Sequence, residues 1–256
     1  MMLCAKFDHS KEVFLLLFRL VLYSLAGFVI SSFIHELGHL IVAMIHRWKF
    51  SLLIVGPFRW QQDDFKERIV FRFERNILYW GGVSSAVPSD KDIDNLSIWA
   101  RTLISGPLLS LIFAILLIPL FIFSGSFFVL LTLAESFGMG LICIIPFPIR
   151  TGLMYTDGYR FWRLMFSGKG KLEEAALFNL SVQHSLFGEV DLESTALIVE
   201  PLLKSKDFSY KYYAYYYLYE LARDENKTAE CEKYILELKK ISNKVPKYLV
   251  RQFNIS

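Results

Sequence analysis

VFLLLFRLVLYSLAGFVISSFIHELGHLIVAMI, residues 13–45, is a nearly continuous run of apolar helix formers interrupted by Arg19. At 1.5 Å per residue such a helix is about 50 Å long, against about 30 Å of bilayer hydrocarbon. It is too long for one upright span and has no loop to divide it into two. The expectation is a single crossing, with an interfacial or tilted start and a bend near Ser24-Leu25-Ala26-Gly27. Gly27 and Gly38 would let neighbouring helices approach closely.

Inside this run stands His35-Glu36-Leu37-Gly38-His39. Positions i and i+4 of a helix lie on one face, a turn apart. His35 and His39 can therefore reach one ion together, and Glu36 beside them can take a proton from a water at that ion. These are the parts of metal-assisted hydrolysis: neutral imidazole ligands, room for water and a carboxylate base. Ionisable groups are costly among lipid tails, so three of them in an apolar helix should face protein or water. The plainer alternative is a helix end at the membrane surface, where His and Glu simply meet water.

Composition supports the membrane reading. Of the 256 residues, 54% are hydrophobic and 16% aromatic, with mean hydropathy +0.38, values high for a soluble protein of this size. A formal net charge of +3 is too small to suggest nucleic acid. Cys4, Cys143 and Cys231 lie far apart and build neither a disulfide framework nor a Cys-rich metal site. The first apolar run lacks a small-residue cleavage site and carries the motif, so it is expected to stay in the chain.

Residues 46–100 differ in character. Lys49–Phe58 is apolar and β-branched up to Gly56-Pro57. In Glu67–Phe73, Ile69, Phe71 and Phe73 fall on one side with Arg68 and Arg72 opposite, the period of a half-buried strand. Ile77–Val83 suggests another strand, disturbed by Gly81-Gly82. A small antiparallel sheet over about 49–84, at the membrane surface, is the expectation. Two further spans follow, about 102–123 and 127–147, separated only by Ser124-Gly125-Ser126 and ended by Pro146 and Pro148. Glu135, inside the third span, is a functional candidate by position alone, or a residue of a hydrated cleft that tunes packing. It is left outside the catalytic set.

Basic residues set the orientation. Arg47, Lys49, Arg59, Lys66, Arg68, Arg72, Arg75, Lys91 and Arg101 lie between the first two spans, and Arg150, Arg160, Arg163, Lys169 and Lys171 follow the third. The Ser-Gly-Ser turn has none. The positive-inside rule then puts the sheet region and the C-terminal part in the cytoplasm and the N-terminus outside. Small size and lack of targeting features make a bacterial plasma membrane the expected location.

Beyond about residue 165 the apolar spacing is that of soluble helices, including an αα-hairpin joined at Asp224–Lys227, with Asn226 or Thr228 as cap of its second helix. Tyrosines at 210, 212, 213, 215, 216, 217 and 219 cover all sides of one helix and serve packing or a partner surface. The fold expected is a mainly α membrane protein: three transmembrane helices, a small surface β-sheet inserted after the first, and a C-terminal soluble helical domain. The boundaries are 1–165 for the membrane core and 166–256 for the cytoplasmic helices.

A third metal ligand must come from elsewhere. His46 lies two turns past His39 and cannot share the ion through a straight helix; His9 and His184 stand alone. Asp157, in Thr156-Asp157-Gly158 just past the proline break, is the better candidate, although an isolated Asp-Gly also reads as a turn. His35–His39 in a membrane helix, Gly106-Pro107 opening a later span, and Pro146-Phe147-Pro148 followed by Asp157-Gly158 together resemble the site-2 protease family of intramembrane zinc metalloproteases. The resemblance covers roughly residues 25–165. It implies zinc held by His35, His39 and Asp157, Glu36 as general base, and a sheet that guides an unwound substrate by strand addition. An exposed strand edge can hold a peptide extended for attack. The sequence departs from the family in three places. Cys143 stands where an Asn is expected before Pro146, Ser110 stands where an Asn is common, and Ile149–Tyr155 lengthens the spacing to the Asp. These bear on substrate handling more than on metal binding.

The function expected is that of a zinc endopeptidase cutting a membrane protein or peptide substrate in or near the bilayer, with a protein partner at the C-terminal helices and no nucleic acid. The rivals are a non-catalytic membrane binding module, motivated by Cys143, and a transporter or immunity-type protein with a chance motif.

Overall fold

The computed structural model describes residues 9–63, 68–90, 94–151, 154–187 and 191–252. Cys4, Lys66, Glu67 and Lys91, and the side chains of His9 and His184, lie outside the described residues. The apolar run folds as one unbroken helix, α1 (His9–Ile45). The helix runs without a break through Ser24–Gly27. The segment holds no proline, and Gly27 lies flat against Thr132 and Glu135, so nothing interrupts the hydrogen-bond ladder. Val13, Phe14, Leu15, Leu16, Leu17 and Phe18 are all exposed, on every side of the helix. Six consecutive uncovered apolar side chains suit an apolar solvent.

After α1 the chain forms a four-stranded antiparallel sheet in the order β3-β2-β1-β4, from β1 (Lys49–Val55), β2 (Phe58–Asp63), β3 (Arg68–Phe73) and β4 (Val83–Val87). The turn at Gly56-Pro57 pairs Val55 with Phe58, and β2 then pairs in full with β3, Phe58 opposite Phe73 and Asp63 opposite Arg68. The strand expected at Ile77–Val83 is corrected: Ile77–Tyr79 is a 3₁₀ turn and the strand starts at Val83. Gly82 causes the shift, since its φ of +109° belongs to no strand, and its N–H closes the turn on the Tyr79 carbonyl. Ile69, Phe71 and Phe73 are exposed, so the aromatic face of β3 is less covered than the alternation implied.

Two more long apolar helices, α2 (Asn95–Ser124) and α3 (Phe127–Ile144), form the hairpin expected from Ser124-Gly125-Ser126. The turn is closed by the Ser126 N–H on the Ser124 hydroxyl. With α1 these make three helices long and apolar enough to cross a membrane, so the protein is a membrane protein. Helix α3 stops at Ile144, short of the expected 147, because Pro146 cannot continue it. A two-stranded ribbon, β5 (Arg150–Thr151) and β6 (Met154–Tyr155), then leads into α4 (Asp157–Phe166).

Among the described residues five further α-helices follow: α5 (Gly168–Phe187), α6 (Leu192–Leu203), α7 (Phe208–Asp224), α8 (Thr228–Ile241) and α9 (Lys247–Gln252). Their apolar stripes meet in a core of Leu177, Leu180, Val199, Leu202, Tyr210, Ala214 and Leu218. Of the tyrosines on α7, Tyr210 and Tyr212 are buried, which favours packing for that pair. Neither Asn226 nor Thr228 caps α8. Lys227 holds that position, while Asn226 takes φ +58° and ends α7, with its N–H on Arg223 O and the Lys227 N–H on Ala222 O.

By compactness the chain divides into two units, Met1–His39 with Leu52–Ser84 and Ser105–Ile142, and Leu40–Ser51 with Ser85–Ile104 and Cys143–Ser256.

Candidate metal centre

The first unit holds the histidine pair. The helical spacing of α1 brings the rings of His35 and His39 to a centroid separation of 4.9 Å, nearly perpendicular to each other. His35 is 5% exposed, and its Nδ1 lies 3.0 Å from the Ser110 hydroxyl on α2. That hydroxyl also donates to the Gly106 carbonyl at 3.2 Å. The His39 ring stands over Gly106, where any Cβ would overlap it.

Backbone proximity makes this possible. The α-carbon of Gly38 faces Ser105 and Gly106, a Cβ there would lie 2.7 Å from the Ser105 carbonyl, and the Ser105 hydroxyl donates to the Gly38 carbonyl at 2.9 Å. Helices α1 and α2 thus cross on small residues at the level of the motif, as helices in lipid do.

Glu36 is 7% exposed and carries its own cover. The Ser84 hydroxyl at the start of β4 donates to Glu36 Oε2 at 2.5 Å. Gly82 lies against the same carboxylate, so a Cβ there would stand 2.6 Å from Oε1. The positive φ and this close approach both demand glycine at 82. Ser84 and Gly82 escaped the sequence reading. Neither belongs to a motif, and only the 3₁₀ turn folds them back onto α1.

Asp157 lies in the second unit as the first residue of α4, half-buried, after Thr156. The helix begins against the end of α3: a Cβ on Gly158 would overlap the Ile144 carbonyl and stand 2.8 Å from that of Cys143. Glycine after Asp157 therefore reflects close packing rather than a turn. Sγ of Cys143 and a carboxylate oxygen of Asp157 lie within 4.8 Å of each other. In the sequence Cys143 stands in no Cys-rich site and in the place of an Asn; its position beside Asp157 follows from α4 starting against Cys143 and Ile144. The Thr156 hydroxyl is buried with no hydrogen-bond partner among the described residues. Glu135 sits against Gly27 and Thr132 in the first unit. Among the other histidines, His46 lies just past the end of α1, in the turn that leads to β1.

Two imidazoles on one helical face beside a shielded carboxylate are the pattern of the metallopeptidase class. The family model of peptidase family M50 matches residues 23–253, and the chain belongs to that family, the site-2 protease family of zinc metalloproteases. No curated protein and no solved structure matches it. The match runs through the C-terminal helices, which the sequence resemblance had left out.

Proposed function

We propose that the chain is an intramembrane zinc endopeptidase, with His35, His39 and Asp157 as metal ligands and Glu36 as general base. The observation that carries this reading is the pairing of the His35 and His39 rings on one face, with Glu36 enclosed beside them, in a chain of the M50 family. The residues suit zinc. Two imidazoles and a carboxylate are a donor set of catalytic zinc sites, and the Thr156 hydroxyl without a partner adjoins Asp157.

With its proton on the Gly106 carbonyl, the Ser110 hydroxyl accepts from His35 in the tautomer that carries the proton on Nδ1. This leaves the Nε2 lone pair of His35 for the metal and fixes the ring's orientation. Zinc held there would supply Lewis acidity towards water and a peptide carbonyl. Glu36, steadied by Ser84, is placed to accept a proton from water and to return it to the leaving amine. The enclosure of Glu36 and His35 keeps bulk water from the proton path. The substrate is a membrane protein or peptide extended along a sheet edge, and the basic residues between α1 and α2 put the sheet and the C-terminal helices in the cytoplasm.

The test is Glu36→Gln. Zinc content should equal that of the wild type, and cleavage of a co-expressed membrane substrate should vanish; retained turnover would refute the assignment. One observation favours a second reading. Cys143 beside Asp157 could close the coordination shell, and closed shells are structural. Cys143→Ala separates the two, since the peptidase keeps zinc and activity while the closed site loses its metal.

A further inference from the structure

Helix α4, which begins at Asp157, carries two buried arginines, Arg160 and Arg163. Both point into the core of the C-terminal helices. Arg160 Nε donates to Glu174 Oε2 on α5 at 2.9 Å, and its guanidinium lies 5.1 Å from the centre of the Trp99 ring. Arg163 pairs with Glu173 and stands 3.5 Å from Glu174 Oε1. Tyr210 on α7 donates to Glu174 Oε1 at 3.3 Å and accepts from Arg163 at 3.4 Å. Glu174 is 0% exposed. Four charged side chains in so little space are costly unless each is paired, so they commit α4 to one position on α5 and α7.

Asp157 and Arg160 are i and i+3 on α4, neighbours on one helix face. Burial draws the Arg160 pKa down, but Glu174 first and then Tyr210 and Asp157 outweigh it, so the net shift is upward. Two carboxylates thus act on Arg160: Glu174, paired with it in the helical core, and Asp157, one turn back on the same helix face.

We propose that Glu174 is a positioning residue for the metal site: it holds the Arg160 guanidinium in the core, so that this cation does not compete with zinc for the Asp157 carboxylate. The inference rests on Asp157 being the third ligand. It assigns the C-terminal helices a function, that of the mould in which the ligand-bearing helix is set. Glu174 also meets Arg163 and Tyr210, and its action on Asp157 runs through Arg160.

The experiment is a chelator-competition titration of zinc on the full chain purified in detergent. Glu174→Gln keeps the shape but releases Arg160, and zinc affinity should fall about ten-fold, in the range of residues that support metal ligands. The double variant Glu174→Gln/Arg160→Gln should return it to the wild-type value, which loss of packing alone would not do. Wild-type affinity in the single variant, or no recovery in the double, overturns the proposal. Should Glu174→Gln fail to accumulate, Arg160→Gln alone decides: Arg163 still faces Glu174, so affinity should equal or exceed the wild type, and a fall overturns the proposal. Asp157→Ala is run in parallel. Undiminished zinc binding in that variant would remove the ligand assignment itself, whatever Glu174 does.

Discussion

The imidazole of His39 occupies the space that a side chain at Gly106 would fill. The ring lies directly on the α2 backbone there, with no room for a side chain between them. Gly106→Ala should push the ring away and strip the metal, with zinc per chain falling well below one and cleavage lost. Overpacking of this kind also costs about 1–3 kcal/mol of stability. Gly138→Ala is the matched control, because nothing lies within 4 Å of a Cβ there. It should retain zinc and gain about 0.5–1 kcal/mol from helix propensity. Equal zinc content in the two variants would show that His39 is not held by this contact.

Ser110 should govern metal affinity without touching the metal. Removing its hydroxyl leaves His35 Nδ1 without the partner found at 3.0 Å. Supporting hydrogen bonds of this kind are worth about 10–100-fold in metal affinity. Ser110→Ala should fall in that range by chelator competition, while Ser110→Thr, which retains the hydroxyl, should lose far less. An unchanged affinity in Ser110→Ala would mean that the ring is oriented by something else.

The parts of this structure that were readable from sequence are those whose signal is local or periodic. The run 13–45, the two later apolar runs and the His35–His39 spacing each state a helix within a single window. Strand β3 declared itself through Ile69, Phe71 and Phe73. Strand β2 did not, because Phe58-Arg59-Trp60-Gln61-Gln62-Asp63 loses its apolar alternation halfway and owes its strand form to pairing with β3. The surroundings of the candidate site were hidden for a related reason. Ser84 reaches Glu36 across 48 positions of sequence and Ser110 reaches His35 across 75. Such contacts arise from packing, and no spacing rule encodes them. Asp157-Gly158 kept a turn as its alternative reading, because an Asp-Gly in a turn and an Asp-Gly packed against a carbonyl look alike as letters.

Ser84 bears on rate rather than on metal. Its hydroxyl donates to Glu36 Oε2 at 2.5 Å, and a hydrogen bond to a charged group is worth about 1.5–3 kcal/mol. If Ser84 steadies the base through the proton transfer, Ser84→Ala should lower kcat by about ten-fold or somewhat more, since each 1.36 kcal/mol is about a factor of ten. KM and zinc content should not change. This is the reverse of the pattern for Ser110→Ala, so the two variants together separate holding the base from holding the ligand. A fall in zinc content in Ser84→Ala would contradict the division.

The C-terminal helices should fail at high pH, and α7 is the reason. Burial, with the nearby Tyr217, pushes the Tyr213 phenol up to about 12, and burial raises Tyr210 as well, followed by the Glu174 charge. An unfolded tyrosine ionises near pH ~10. The raised value means that the folded state holds its proton where the unfolded state has lost it. The stabilisation is therefore complete below pH ~10 and is lost as pH rises through about 12. Far-ultraviolet circular dichroism of the protein in detergent should lose helix across that window, in step with tyrosinate absorbance. Tyr213→Phe removes one of these titrations without removing the ring, so its alkaline midpoint should move upward while stability near neutrality changes little. A midpoint that stays in place would mean that the phenol at 213 is not what fails.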